Sequence, residues 1–413
     1  MKRSIYNYVV ENEGKYIVFN TLNTSLIVLD DKSYNEFIND DYSSLDISIL
    51  KENGFVVEDD SDEKSLVDYS RAATIFSKGY RYFRILTTTA CNARCDYCYE
   101  AGATNMTMDE ETAKAVIKYI EDICIKDDVE RLSIAWFGGE PLVNHEIISF
   151  ISKELRNFTF MNGIGYEVSM TSNASLFTDE LIKKAKFEWK LNRIQITLDG
   201  TRENYNRIKA YVNDKYNFDV VFSNIKKLID EGIYVNIRMN YNMANYDNIL
   251  ELIDYIYDNL KDRKHWDMYV FPIFDCKNSS YKKEDMEKFC SINEKIRVLR
   301  EHPVMKLPHF REGGCIFTTH AGEGIMPNGD LIKCCRLMNT DTPFANVRDD
   351  LSEYNAHYTK WVNPVLPEKC NNCVKLPICQ GGCRAEQMLG FDGCSPWIQT
   401  LDQRLIDYVN AVK

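Results

Sequence analysis

No stretch of this chain approaches the ~18 consecutive apolar residues of a membrane helix. The opening MKRSIYNYVVENEGKY has a basic pair but no apolar run behind it, so it is not expected to act as a signal peptide. Positive charge is in deficit. Fifty Lys and Arg against 62 Asp and Glu leave a net charge of −12 and a pI of about 5.2. General nucleic-acid binding, which needs a basic face, is excluded on that balance, and a basic peptide would suit the chain better. Internal repeats and low-complexity tracts are also missing. What remains is an ordinary globular composition, 45% apolar and 27% charged over 413 residues. That length accommodates two to four domains at roughly 100–200 residues each.

Cysteine, by contrast, is abundant. The expected compartment is the reducing cytoplasm, where clustered cysteines signal metal or redox chemistry rather than disulfides. Eight of the 14 lie between Cys315 and Cys394, a fifth of the chain, which core cysteines scattered at random would not do.

Three regions differ in pattern. Residues 1–78 begin with the short β-like runs YNYVVEN, KYIVFNT and SLIVLD. Two helical stretches and the strand-like GFVVEDD follow, giving a small α+β module of winged-helix size. Its plainest role is a cap on the next domain. Over 79–285 six strand-like segments alternate with amphipathic stretches: YFRILTTT, LSIAWFGG, YEVSMTSN, IQITLDG, VNIRMNYN and MYVFPIF. They are mostly apolar and β-branched, as buried parallel strands are. One intervening helix is expected to start at Thr107 with Glu110 in a capping box, and to bury Ala113, Val116, Ile117, Ile120 and Cys124. Another follows Asp247. Serial βα units imply an α/β fold, either a parallel barrel or a doubly wound sheet, with functional residues at the C-terminal strand ends. Residues 286–413 lose the alternation, are loop-rich and hold the cysteine cluster, so metal centres are expected to organise them.

Chemistry concentrates first in TTTACNARCDYCYEAG, where Cys91, Cys95 and Cys98 fall directly after the first strand. Thiolates ligate zinc or iron–sulfur clusters. A structural zinc site needs four ligands, and the flanking sequence offers no His. Three thiolates on a cubane leave one iron open, as a catalytic centre requires. CNARCDYC resembles the CxxxCxxC motif of radical SAM enzymes, with Tyr97 just before the third Cys. That resemblance implies a partial (β/α)6 barrel binding S-adenosyl-L-methionine (SAM) on a [4Fe-4S] cluster.

The later strand ends extend the resemblance. Gly138, Gly139, Glu140 and Pro141 in WFGGEP resemble the family's contact for the SAM amino group, where glycines permit close backbone approach and a carboxylate pairs with an ammonium. Thr171, Ser172 and Asn173 occupy the place of a TNG-like segment. Thr197, Asp199 and Gly200 resemble SLDG, with Thr in the Ser position. Arg238 and Asn240 stand where relatives often touch SAM. Tyr205 and Lys209 replace a His and an Arg common in relatives, and either Lys209 or Arg207 could meet the SAM carboxylate.

Further on, Cys370, Cys373, Cys379 and Cys383 read C-x2-C-x5-C-x3-C, followed by Cys394 and preceded by Cys315 and a G-x4-C spacing from Gly329 to Cys334. This order resembles the SPASM domain, which holds two auxiliary [4Fe-4S] clusters. The resemblance implies one cluster on Cys315, Cys334 and Cys383 and a second on Cys370, Cys373, Cys379 and Cys394. The first lacks an evident fourth ligand. Cys335 adjoins Cys334 awkwardly, while Cys276 and Cys290 read as buried hydrophobes.

Together these features imply a radical SAM maturase of ribosomal peptides with three [4Fe-4S] clusters, whose N-terminal module resembles a leader-peptide recognition domain binding by strand addition. In that family an electron from ferredoxin or flavodoxin cleaves SAM to methionine and a 5′-deoxyadenosyl radical, which abstracts hydrogen from the peptide. The expected product is a cross-link, a thioether before a carbon–carbon or ether bond, because the open auxiliary iron could take a substrate thiolate. The alternatives are an anaerobic sulfatase-maturating (formylglycine-generating) enzyme and a zinc-scaffolded adaptor. No general base stands out: Glu100 and Asp199 are near the expected pocket, but each has an ordinary structural explanation.

Overall fold

A computed structural model describes residues 1–273, 283–300, 307–309, 311, 313–350 and 355–412. It divides into two compact units. The first combines Met1–Phe76, Asn278–Cys315 and Asn363–Lys413; the second combines Ser77–Lys277 and Ile316–Val362.

In the first unit, β1 (Lys2–Arg3), β2 (Asn7–Asn12), β3 (Lys15–Asn20) and β4 (Ser25–Asp30) precede α1 (Asp31–Ile38), α2 (Ile47–Glu52), β5 (Val56–Val57) and α3 (Glu63–Ile75). The strands β2, β3 and β4 form an antiparallel sheet in that order, and β1 pairs with β5. Period-two alternation splits this sheet into two faces. One face buries Val18 and Leu29 against Phe37, Leu50 and Phe55. The other buries Val10, Ile17 and Phe19 against Ile378, Leu401, Leu405 and Val409. The N-terminal module and the C-terminal helix Leu401–Val412 therefore share one core, where separate domains over 1–78 and 286–413 were expected.

The second unit carries the six anticipated strands, β6 (Tyr80–Leu86), β7 (Arg131–Phe137), β8 (Gly165–Ser172), β9 (Leu191–Thr197), β10 (Tyr234–Tyr241) and β11 (Trp266–Pro272). They are parallel and in sequence order. Helices α4 (Glu110–Lys126), α5 (His145–Met161), α6 (Asp179–Phe187), α7 (Arg202–Lys209), α8 (Phe218–Asp230) and α9 (Tyr246–Leu260) fill the crossovers. Beyond β6 the sheet continues through β12 (Gly322–Ile325), β13 (Asp330–Ile332) and β14 (Ala345–Asn346). Because β12 pairs directly with β6, residues 316–362 belong with the barrel rather than with a separate C-terminal domain.

Two expectations change. Helix α4 starts at Glu110 with Asp109 as its cap, accepting from the Thr112 amide, while Thr107 bridges to Thr88 in extended backbone. The strands also alternate more than a doubly covered sheet would. Val168, Met170, Ile194, Ile196, Val235, Ile237, Met268 and Val270 are buried, but the intervening Ser169, Thr171, Gln195, Thr197, Asn236, Arg238, Asp267 and Tyr269 are polar and half-buried. One face packs on helices; the other is a polar surface leading to the C-terminal strand ends, as a partial barrel with a substrate space requires.

A buried ionic cluster fixes the added hairpin. Arg81, 1% exposed, donates to Glu323 (2.8 Å) and Asp127 (3.4 Å), and Tyr119 donates to Glu323 (2.6 Å). His320 bridges Asp127 and Tyr358 at 2.9 Å each. Among the described residues no helix is long and apolar enough to cross a membrane.

Candidate active site

The three cysteines lie on the loop that leaves β6. Its ends are pinned together: Thr89 N donates to Met106 O and Met108 N to Thr87 O, both at 2.9 Å. Cys98 N closes a turn on Cys95 O at 3.2 Å. Burial pushes the Cys91 thiol up to about 12 and raises Cys95 and Cys98; Cys95 and Cys98 also lie close enough to oppose ionisation of Cys91, and Cys95 that of Cys98. A metal centre that replaces those protons relieves the strain of gathering three thiols. Among the described residues no three His, Cys, Asp or Glu side chains are gathered tightly enough for a single ion; a polynuclear cluster holds its thiolates farther apart.

The glycines of WFGGEP let two loops touch. A Cβ on Gly138 (φ +124°) would stand 2.2 Å from Thr88 O, and one on Gly139 2.5 Å from both Thr89 O and Ala90 O. Gly139 N donates to Thr88 O (3.1 Å) and Glu140 N to Ala90 O (2.9 Å), so the β7 end lies directly against the cysteine loop. Glu140 is fully buried and accepts from Ser172 Oγ (2.8 Å), Asn173 N (2.8 Å) and Leu142 N (3.1 Å). Burial nevertheless pushes its carboxyl up to about 7. A carboxylate has about four acceptor positions, so room remains for one further cationic donor. Asn173 Nδ2 reaches Asn92 Oδ1 (2.9 Å), and Asn92 Nδ2 donates to Ser175 Oγ (2.8 Å). Asn92 was not anticipated; its only signal in sequence is its place beside Cys91.

On the other side stands Asp199, fully buried at the end of β9. It accepts from Asn240 N (3.1 Å), Lys209 Nζ (2.8 Å) and the Tyr97 hydroxyl. Lys209 Nζ also donates to Tyr97 Oη at 2.8 Å. Asp199 is thereby ion-paired with Lys209 and tied to both the β10 backbone and the cysteine loop. Of the pair left open in sequence, Lys209 is buried in this group, whereas Arg207 is exposed and donates to Asn204 at 3.4 Å. Tyr205 is core, bonded to Tyr211 at 2.8 Å. Arg238 lies over the Phe271 ring (4.7 Å) and donates to Asn240 Oδ1 (2.9 Å), on the polar face with Thr197. Glu100 keeps one carboxylate oxygen buried without a partner among the described residues, and burial pushes it up to about 7.

Of the C-terminal cysteines, Cys370, Cys373, Cys379 and Cys394 all belong to the first unit; Cys373 lies close enough to raise the Cys370 thiol, Cys370 and Cys373 to raise Cys379, and Cys379 to raise Cys394. A Cβ on Gly382 would stand 2.2 Å from Gly393 O, and Cys383 N donates to that same oxygen (2.8 Å), which brings the Cys394 turn beside Cys379. This arrangement suits a four-thiolate cluster. Cys315 and Cys383 belong to the first unit and Cys334 to the second. Cys335 is buried beside Leu86, Met326 and Ile332 with its thiol pushed up to about 12, and Cys124 is likewise core. Cys290 is half-buried and bonded to Thr400; Cys276 lies outside the described residues.

A parallel partial barrel with three thiols on its first βα loop defines a class, and comparison with known proteins agrees. Residues 85–256 match the Radical SAM superfamily. The second unit therefore carries a segment that matches the radical SAM domain. The structure is similar to Streptococcus suis SuiB bound to precursor peptide SuiA, with a TM-score of 0.57 at 16% identity over 96% of this chain and 98% of that one. It is also similar to anSMEcpe with bound AdoMet, TM-score 0.61 at 17% identity over 80% and 100%. At these identities the likeness is one of fold. In sequence, the radical SAM cyclopropyl synthase TigE of Paramaledivibacter caminithermalis is 26% identical over 299 residues, 63% of this chain and 62% of TigE. A GTP 3′,8-cyclase of Helicobacter pylori is 26% identical over 187 residues, 44% and 53% respectively. The chain thus spans about half the length of the first curated relatives it matches.

Proposed function

We propose that this enzyme modifies a ribosomally made precursor peptide. Cys91, Cys95 and Cys98 would hold the SAM-binding [4Fe-4S] cluster. Glu140 would take the SAM amino group, with Gly138, Gly139, Ser172, Asn173, Thr197, Arg238, Asn240 and Tyr97 around it. When bound, cluster and SAM supply a carbon-centred radical that takes a hydrogen atom from an unreactive carbon. The chain's own part is to hold the donors in place, shield the reacting atoms from water and present the peptide on the polar face of the sheet. Cys370, Cys373, Cys379 and Cys394 would hold an auxiliary cluster. A reduced ferredoxin or flavodoxin would be the electron donor.

The observation that carries the peptide reading is the edge of the N-terminal sheet. Among the described residues β4 pairs only with β3, and Val28 on it is 40% exposed. Such an edge can accept a leader segment as a further strand, and the fold likeness to SuiB extends over this module. A thioether remains the favoured product. Carbon–carbon bond formation is the second reading, favoured by the similarity to TigE.

The test is anaerobic co-expression with a small Cys-rich peptide encoded beside this gene, followed by mass spectrometry. Loss of hydrogens from the core peptide is expected, and unchanged masses across several candidates would refute the reading. Metal analysis adds a check: about twelve irons with matching sulfide accord with three cubane clusters, whereas zinc without sulfide would establish the adaptor instead.

A further inference from the structure

The group around Lys209 does more than neutralise a charge. Its ammonium is 4% exposed, and the Asp199 carboxylate it meets is completely buried. Both reach the hydroxyl of Tyr97, which stands between Cys95 and Cys98. The backbone repeats the connection. Arg94 N donates to Lys209 O (2.8 Å) and Val212 N to Asn92 O (3.0 Å), so residues 209–212 grip the cysteine loop on both sides of Ala93, between Cys91 and Cys95. The grip needs an abrupt exit from α7, which Ala210 provides in the left-handed region at φ +42°. That strain is tolerated where surrounding bonds over-determine the geometry.

We propose that Lys209, with Asp199 and Tyr97, is a positioning clamp that holds the Cys91–Cys98 loop in its cluster-binding shape. Lys209 then acts through Tyr97 and the loop backbone. The inference rests on the radical SAM reading of that loop and deepens it. Pairing also explains why a lysine is buried here: an unpartnered ammonium at this depth would be strongly disfavoured, whereas a carboxylate and a phenol beside it supply two of its three acceptors.

The experiment follows iron release to a ferrous chelator from the anaerobically reconstituted full chain, alongside SAM affinity and thermal unfolding. A Cys91→Ala/Cys95→Ala/Cys98→Ala variant identifies the share of iron on this loop. Tyr97→Phe removes only the shared hydroxyl. The pair Asp199→Asn/Lys209→Met removes both charges together, so neither is left buried alone, and Lys209→Arg restores a cation. Residues that orient metal ligands typically change metal affinity by about 10–100-fold. Tyr97→Phe and the double variant are accordingly expected to release loop iron at least about tenfold faster, with the remaining iron unaffected and the midpoint little changed. Lys209→Arg should retain more loop iron than Lys209→Met. Release at the wild-type rate from Tyr97→Phe and the double variant would overturn the clamp. So would loss of SAM affinity with iron retention intact, which would make Lys209 a direct SAM contact. A wild-type chain with no sulfide-bound iron on this loop would instead sink the radical SAM assignment of the loop, and the clamp with it.

Discussion

Replacing Glu140 with Gln tests the electrostatics of the site and its chemistry in one variant. The carboxyl is fully buried, and burial lifts it from 4.5 to about 7 although three donors oppose the rise. At about 1.4 kcal/mol per tenfold change in ionisation, that gap costs the folded state about 3 kcal/mol. Glu140 is an acid whose folded value lies above its unfolded one. The penalty is therefore absent below 4.5, grows as pH rises and is complete above about 7. Gln carries no such penalty. It keeps the acceptor used by Ser172 and Leu142, both on Oε1, but turns an NH2 toward the Asn173 amide that Oε2 now accepts. Leaving that amide unsatisfied costs about 1–3 kcal/mol at every pH. The two effects nearly cancel at pH 8, so the variant should be about as stable as wild type there. Between pH 6 and pH 8 its stability relative to wild type should improve by about 1 kcal/mol. Urea unfolding of the metal-free chain measures this, with pH held above the pI of about 5.2 to avoid precipitation. In the reconstituted enzyme the same variant should bind SAM at least about tenfold more weakly, since a charge-assisted contact contributes about 1.5–3 kcal/mol. A stability difference that does not change with pH would refute the burial argument. Undiminished SAM affinity would refute the assignment of Glu140 to the amino group.

Other perturbations separate the parts of the molecule. Gly139→Ala sets a methyl 2.5 Å from two carbonyl oxygens of the cysteine loop; overpacking of this kind costs about 1–3 kcal/mol, and iron bound by the loop should fall while any iron bound elsewhere is unaffected. Arg81→Met leaves Glu323 and Asp127 buried without their shared cation, a loss of about 3–5 kcal/mol by analogy with other broken buried pairs, measurable as a lower urea midpoint. Val28→Asp, at a 40% exposed position of the edge strand opposite Ile17, should destabilise the chain by about 1 kcal/mol and weaken leader-peptide binding in a fluorescence-anisotropy titration. Removing residues 1–75 is a poorer test, because Val10, Ile17 and Phe19 share a core with Leu401 and Leu405 and the deletion would expose that core.

Local features were legible because each has a local cause. The six strands were found from their apolar content, and Cys124 was assigned to the core because it shares a helical face with Val116, Ile117 and Ile120. The start of α4 was misplaced because Thr107 and Glu110 fit a capping box, yet Asp109 caps better while Thr107 serves a long-range bridge to Thr88. The division into domains was missed for the same reason. Pairing of β12 with β6 and packing of Leu401 on Phe19 join residues hundreds of positions apart, and no window of sequence contains both partners. The glycines of WFGGEP were singled out for approach to a ligand. Their neighbours here are Thr88 O, Thr89 O and Ala90 O, so what they permit is contact between two strand ends.

That contact bears on how the site works. Few of the polar groups at the catalytic end are left idle: Glu140 is held by residues after β7 and β8, Asn173 holds Asn92, and Asp199 joins β9, β10 and the cysteine loop through Asn240 N, Lys209 and Tyr97. Five consecutive strand ends are thus bonded to one another before any ligand arrives. A loop of three thiols would otherwise be free to turn its sulfurs in different directions, and gathering them would then draw on the energy of cluster binding. Here the gathering is done by folding, through groups whose alternative is an unsatisfied buried position. The fold can therefore hold three thiols on one loop without a fourth protein ligand to fix their geometry, which is the condition for leaving a coordination position to SAM.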